Sequence, residues 1–175
     1  MRLTRVSKSV SFVFALVFSV SASVTALADG RQFGPDGRFP LHPDTTMTPG
    51  SVCTTGQTHR YPEGVTYCNR DVARDLKRDL FRRYDVNLGY ETQVMNRQDF
   101  KIDHYIPLCA GGSNQADNLW PQHKSVYMIT DPIEPLVCAK MSAGRLKQAD
   151  AIKLVRRAKL DLKQVGAVMS ELNSL

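Results

Sequence analysis

Residues 103–123 read DHYIPLCAGGSNQADNLWPQH, and the rest of the chain is organised around this stretch. It places an acid beside a histidine in Asp103-His104, then has a glycine turn, Asn118 and a second histidine, His123. Polar groups of this kind are costly in an apolar core unless they have partners. A concentration of metal-binding and proton-accepting side chains therefore makes this stretch the first candidate for a functional site.

The pattern around this stretch predicts two short strands followed by helical structure. Residues 100–106 alternate apolar and polar side chains, as expected for a half-buried strand, and residues 118–120 are a candidate second strand. Two helix start signals follow, at His123-Lys124 and at Asp131-Pro132. We therefore expect either one bent helix or two helices between residues 124 and 141.

Amphipathic helices are predicted on both sides of this core. One has Asn69 or Asp71 as its cap and runs to about residue 84, and its polar faces carry more basic than acidic residues. Its expected apolar stripe consists of Val72, Ala73, Leu76, Leu80 and Tyr84. We expect the polar faces of this helix to be exposed to solvent and to form ion pairs along the helix surface. The alternative is that basic residues contact nucleic acid phosphates, with Arg78, Arg82 and Lys124 as weak candidates. The second helix is expected over about 146–172, with a polar side formed by Lys147, Lys153, Arg156, Arg157, Lys159 and Lys163.

The N-terminus has the features of a secretory signal peptide. Residues 1–28 contain three basic residues, an apolar run over 10–20 and the small-residue site Ala26-Leu27-Ala28. The run is too short and too rich in serine for a stable membrane span, which disfavours the alternative of a retained anchor. Loss of the three basic residues lowers the formal net charge from +6 to +3, so bulk charge does not identify a partner.

The remaining 147 residues are expected to form one domain. Residues 29–50 are rich in Gly, Pro, Asp and Thr and should form an extended lead-in. Residues 51–145 should form the functional domain, and 146–175 a C-terminal helix packed on it. Export to the periplasm or the exterior, as a monomer without a membrane anchor, is the expected state.

All four cysteines lie in the part predicted to be exported, where an oxidising environment favours disulfides. Three pairings exist. We expect Cys53–Cys68 and Cys109–Cys138, because each closes a loop of moderate length. A four-cysteine zinc site is the alternative, but the sequence contains no Cys-x-x-Cys knuckle.

The residue types of the central stretch suit phosphodiester hydrolysis. This reaction needs a cation to neutralise the phosphate and a base to deprotonate water. Asp103 offers a hard oxygen to a divalent ion, and a neutral His104 has a pKa suited to accepting a proton near pH 7. Neighbouring strand residues point to opposite faces, so both side chains reach one site only if the strand twists or ends there.

On these residues, the chain resembles the HNH nuclease family over about residues 99–141, through the DH-x-IPL, GGSN and NLWPQ motifs. The resemblance implies an α+β fold with a small ββα-metal nuclease core, flanking helices and disulfides. It implies Asp103 as a metal ligand and His104 as the general base. It also implies that Asn118 holds the intervening loop so that the histidine is aimed at water.

The resemblance also implies one divalent metal ion, with Mg²⁺ favoured and Mn²⁺ or Zn²⁺ as alternatives. In many members of the family a further ligand lies eight or nine residues after the asparagine, where this chain has Val126 and Tyr127. Neither residue suits a hard cation. We therefore expect His123 to be the second metal ligand, with Asp131 in reserve. The family's zinc-binding cysteine knuckles are absent, and the two disulfides would replace them as scaffold.

The function expected from the sequence is that of an exported, metal-dependent endonuclease with little sequence specificity. DNA is favoured over RNA as the substrate. Two alternatives remain open: a nucleic-acid-binding protein that has lost catalysis, and a disulfide-linked periplasmic interaction protein. The sequence does not indicate whether an inhibitor protein protects the producing cell.

Overall fold

The computed structural model describes Gly34 and residues 36–175; the predicted signal peptide lies outside these residues. Within them, two separate two-stranded antiparallel sheets combine with helices, which confirms the expected α+β class. In chain order the strands and helices are β1 (Thr58–Arg60), β2 (Val65–Tyr67), α1 (Arg74–Leu88), β3 (Phe100–His104), β4 (Leu119–His123), α2 (Lys124–Thr130), α3 (Ile133–Ser142), α4 (Gln148–Leu160) and α5 (Val165–Ser174).

The central stretch forms the β3–β4 hairpin and leads directly into α2. Phe100 lies opposite His123, and Asp103 lies opposite Trp120. Strand β3 ends at His104, two residues earlier than predicted. Strand β4 is longer than predicted because it continues through Pro121. In a two-stranded sheet both strands are edges, so a residue without an N–H group is tolerated there.

The loop between β3 and β4 is closed by the side chain of Asn118, as the sequence predicts. Asn118 is fully buried. Its Oδ1 accepts a hydrogen bond from the Ile106 N–H at 2.8 Å, and its Nδ2 donates to the carbonyl groups of Ile106 at 3.0 Å and Ser113 at 2.9 Å. Gly112 packs against the same place: a Cβ atom there would lie 1.8 Å from the Ile106 carbonyl oxygen. The loop path therefore requires both the asparagine and the glycine.

This packing predicts that Gly112→Ala destabilises the protein. The added methyl group would overlap a backbone carbonyl that is itself held by Asn118, so relief requires a backbone shift, which we expect to cost about 1–3 kcal/mol. Gly166→Ala in α5 is the matched control, because nothing lies within 4 Å of the new methyl group. Chemical denaturation of both variants measures the difference. Equal stability of the two variants would contradict this account of the loop.

Helix α1 lies along the hairpin. It begins at Arg74, later than either expected cap residue would place it, and ends at Leu88, where Gly89 adopts a φ of 77°. Its buried residues Leu80, Phe81 and Tyr84 belong to a core that includes the hairpin residues Phe100 and Trp120. The expected apolar stripe is therefore correct in its central part, while the helix boundaries are shifted along the chain.

The segment predicted as one bent helix or two helices forms two, α2 and α3. Helix α3 begins after Asp131-Pro132. Helices α4 and α5 pack against α3 and form a second apolar core with it. The expectation of one C-terminal helix over 146–175 is wrong, because the helix stops at Leu160 and the Asp161 side chain accepts a hydrogen bond from the Lys163 N–H at 3.0 Å. A new helix starts after this turn.

The described part of the predicted lead-in, Gly34 and residues 36–50, is irregular but is held against the hairpin. Phe39 stacks on His123 with ring centroids 4.0 Å apart. The Thr48 hydroxyl lies 2.8 Å from the Tyr84 hydroxyl, and the Gly50 N–H donates to the Asp117 carbonyl at 2.8 Å. These contacts make the segment part of the domain, and Phe39 contributes to its hydrophobic core.

Both expected disulfides, Cys53–Cys68 and Cys109–Cys138, are confirmed. The first closes the segment that contains the β1–β2 hairpin. The second connects the loop after His104 to α3. In the part of the chain that the structure describes, no helix has the length and apolar character needed to cross a membrane.

Candidate functional site

A cleft of about 170 Å³ lies at the end of β3. Asp103 and His104 both line it, together with Arg70, Lys101 and Glu134. Neighbouring residues inside a strand would point to opposite faces, but β3 ends at His104 and the chain turns away there. The strand therefore ends where the sequence analysis required it to end for Asp103 and His104 to share one site. The disulfide between the loop and α3 also lines the cleft.

The ring of His104 is oriented by a short chain of hydrogen bonds. Asn114 Nδ2 donates to the Asn69 carbonyl at 2.7 Å, which directs Asn114 Oδ1 toward the histidine. His104 Nε2 lies 3.0 Å from this oxygen. Since an amide oxygen can only accept, Nε2 carries a proton, and in the neutral ring the lone pair is on Nδ1. The arrangement therefore leaves Nδ1 as the atom that can accept a proton.

The environment of His104 favours the neutral ring. Burial lowers the pKa of His104 below its usual value, and the Asn114 hydrogen bond and the Asp103 carboxylate oppose this effect only in part. The positive charges of Arg70 and Lys159 act in the same direction as burial. A neutral imidazole with a free lone pair is the form that acts as a general base.

The hydrogen-bond chain predicts a single tautomer for His104, with the proton on Nε2. Two-bond ¹H–¹⁵N NMR spectra of the oxidised protein at neutral pH should show an Nδ1 shift typical of an unprotonated ring nitrogen. In Asn114→Ala the acceptor is lost, and the two tautomers should mix. Exposed His59 in β1 provides the internal reference for a ring without this constraint. A pure Nδ1–H tautomer in the parent protein would contradict the assignment.

The carboxylate of Asp103 is buried between two lysines. Its Oδ2 lies 2.6 Å from Lys159 Nζ, and its Oδ1 lies 3.3 Å from Lys101 Nζ. Burial raises the pKa of Asp103, but the two ammonium groups outweigh this, so the pKa lies below its usual value. Asp103 is therefore ionised, and both of its oxygens already face a positive charge.

Glu134 and Lys159 belong to the same cluster, although the sequence analysis assigned neither to the site. Lys159 Nζ also contacts Glu134 Oε1 at 3.0 Å and donates to the His104 carbonyl at 2.7 Å. We placed Lys159 on the polar side of its helix, and this is wrong because the residue is buried. The available signal was its spacing: Lys159 lies four residues after the buried Val155 and so shares the apolar stripe.

His123 lies at the opposite end of the hairpin from Asp103. It is three residues along β4 from Trp120, the partner of Asp103, a separation of about 10 Å at the usual rise of about 3.3 Å per residue, and on the other face of the sheet. Its ring stacks on Phe39, and its Nδ1 lies 2.9 Å from the Ser125 hydroxyl at the start of α2. The structure therefore does not bring His123 to Asp103, and its role here is to cap a helix and fill a core.

The reserve ligand Asp131 is engaged as well. Its Oδ1 lies 2.6 Å from Lys101 Nζ, the same ammonium group that faces Asp103. The residues expected to bind a divalent ion therefore do not fit one in this arrangement. Asp103 and Asp131 are paired with lysines, and His123 points elsewhere. The groups that the structure places at the cleft are His104 and the charged side chains of Arg70, Lys101, Asp103 and Glu134.

The basic residues proposed from the sequence as phosphate contacts lie outside the cleft. Arg78 pairs with Asp75 at 2.5 Å, Arg82 pairs with Asp79, and Lys124 pairs with Asp99 at 2.9 Å. Arg70 is different, because it lines the cleft and has no ion-pair partner among the described residues. It follows Asn69, whose carbonyl holds Asn114. Sequence reasoning did not separate Arg70 from the other arginines.

Comparison with known protein families finds no family model that matches this chain. Comparisons with curated proteins and with solved structures likewise find no match. The arguments for function therefore rest on the residues of the cleft and on the motifs of the sequence.

Proposed function

We propose that the chain is an exported nuclease of the HNH type, which hydrolyses phosphodiester bonds in DNA with His104 as the general base. The observation that carries this proposal is the orientation of His104, whose Nδ1 lone pair is left free by the Asn114 hydrogen bond in a cleft beside Arg70. The order of β3, a loop held by Asn118, β4 and α2 is consistent with the ββα core implied by the sequence motifs. The two disulfides suit a periplasmic or secreted location.

In the proposed reaction His104 Nδ1 accepts a proton from a water molecule as the water oxygen attacks phosphorus. The bond between phosphorus and the leaving oxygen breaks, and the departing oxygen takes a proton from solvent. The guanidinium of Arg70, which has no ion-pair partner within the described part of the chain, lines the cleft and could bind a phosphate oxygen there. Arginine binds phosphate in a bidentate manner. Asn118 acts indirectly: it holds the loop that follows His104 and does not itself face the cleft.

Cleavage assays with the mature, oxidised protein test the proposal. Plasmid DNA and structured RNA are incubated with Mg²⁺, with Mn²⁺ and with EDTA, because the divalent ion is a prediction of the family resemblance. We expect DNA cleavage, and we expect His104→Ala to lower its rate by about 10²–10⁴-fold, the usual contribution of a general base. His59→Ala is the matched histidine control and should cut at the parental rate. Intact substrates under every condition, or an active His104→Ala protein, would refute the proposal.

The position of Arg70 predicts a role in substrate binding. Arg70→Ala should weaken DNA binding, and the salt dependence of binding should lose about one phosphate contact. Arg78→Ala is the control, because Arg78 is equally basic and exposed but lies outside the cleft. Fluorescence anisotropy over a range of salt concentrations measures both variants, preferably in the His104→Ala background to prevent cleavage. A larger loss in Arg78→Ala would place the binding surface on α1 instead.

A further inference from the structure

Among the residues that the structure describes, Lys159 is the most deeply buried charged group that the proposed reaction does not use. Its side chain is 1% exposed. Its Nζ lies 2.6 Å from Asp103 Oδ2, 2.7 Å from the His104 carbonyl oxygen and 3.0 Å from Glu134 Oε1. An ammonium group has three N–H donors, and here each has an oxygen acceptor. All three N–H groups of the ammonium therefore have a protein acceptor, and none needs a water molecule as its partner.

The three acceptors are also the oxygen donors that a hard divalent cation would use at this place. Carboxylate and backbone carbonyl oxygens are typical ligands of such ions. Two ammonium groups already face these carboxylates, because Lys159 contacts Asp103 and Glu134, and Lys101 contacts Asp103 and Asp131. Burial lowers the pKa of Lys159, but Asp103 and Glu134 outweigh it and raise the pKa above its ordinary value. The three oxygen acceptors around Nζ, two of them carboxylate oxygens, hold the side chain as an ammonium ion.

We infer that the ammonium group of Lys159 is the resident cation of this cluster and occupies the position that a divalent metal would need. It holds the Asp103 carboxylate, the His104 carbonyl and the Glu134 carboxylate together, and so fixes the backbone from which the His104 ring projects. Lys159 is a positioning residue, because it lies behind the cleft and does not reach a substrate. The inference goes beyond the proposed nuclease activity and stands whether or not the chain cuts DNA.

Mn²⁺ binding by the parent protein tests the inference directly. Electron paramagnetic resonance titration of the oxidised protein is compared with the same titration of Glu134→Gln. In this variant the side chain of residue 134 keeps an oxygen acceptor but loses its negative charge. We expect no Mn²⁺ site that depends on Glu134. Stoichiometric binding in the parent that disappears in Glu134→Gln would overturn the inference. This comparison does not require any Lys159 variant to fold.

Removal of the lysine gives the complementary test. Lys159→Met keeps much of the side-chain volume but removes the ammonium group shared by Asp103 Oδ2, Glu134 Oε1 and the His104 carbonyl, while Lys101 still faces Asp103 Oδ1. This variant should bind Mn²⁺ on the order of tenfold more tightly than the parent, or better, and its melting temperature should rise on Mn²⁺ addition. The double variant Lys159→Met/Glu134→Gln should lose both effects. A folded Lys159→Met protein with no gain in Mn²⁺ binding would overturn the inference. That result is the one expected if Lys159 only fills space in the core.

The two proposals fail in different assays. A parent protein that cuts DNA and also binds Mn²⁺ through Glu134 would refute the role of Lys159 and leave the nuclease intact. A parent protein that cuts nothing and has no Glu134-dependent Mn²⁺ site would refute the nuclease and support the role of Lys159.

Discussion

The buried ammonium group of Lys159 joins three parts of the molecule, of which the Cys109–Cys138 disulfide links only two, the loop after β3 and α3. Asp103 and the His104 carbonyl come from the end of β3, Glu134 from the first turn of α3, and the lysine from the end of α4. Removing one partner of a buried ion pair leaves an uncompensated charge and costs roughly 3–5 kcal/mol. The relative positions of the hairpin and the C-terminal helices are therefore tied to the geometry of the cleft.

His104 is held from two directions, which explains how a residue at the end of a strand can have a defined orientation. Lys159 holds its carbonyl group, and Asn114 holds its ring. Asn118 fixes the path of the loop that follows His104 through three hydrogen bonds. The same loop has no room for a side chain at Gly112. Preorganisation of this kind matters for a general base, because reaction rates fall steeply when the reacting atoms are misplaced.

Local features of this fold were predictable from the sequence, and long-range ones were not. The alternation over residues 100–106 and the helix start at Asp131-Pro132 predicted real elements, because side-chain periodicity and proline geometry act locally. The disulfide pairs followed from loop length. The position of His123 away from Asp103 could not be predicted, because it depends on strand register, which no motif encodes. Lys159 was misassigned because a lysine on a helix is usually solvated, and its partners lie far away in the sequence.

The gap between these partners has a consequence for how the protein is made. Lys159 follows Asp103 by 56 positions and Glu134 by 25. During synthesis from the N-terminus, β3 and α3 emerge with their carboxylates hydrated, and they have no buried cation to assemble around until α4 follows. A chain shortened before residue 159 would keep every residue of the 103–123 stretch and still lack the charge that its fold encloses. The last helices of the molecule therefore complete the interior of a hairpin that was synthesised well before them.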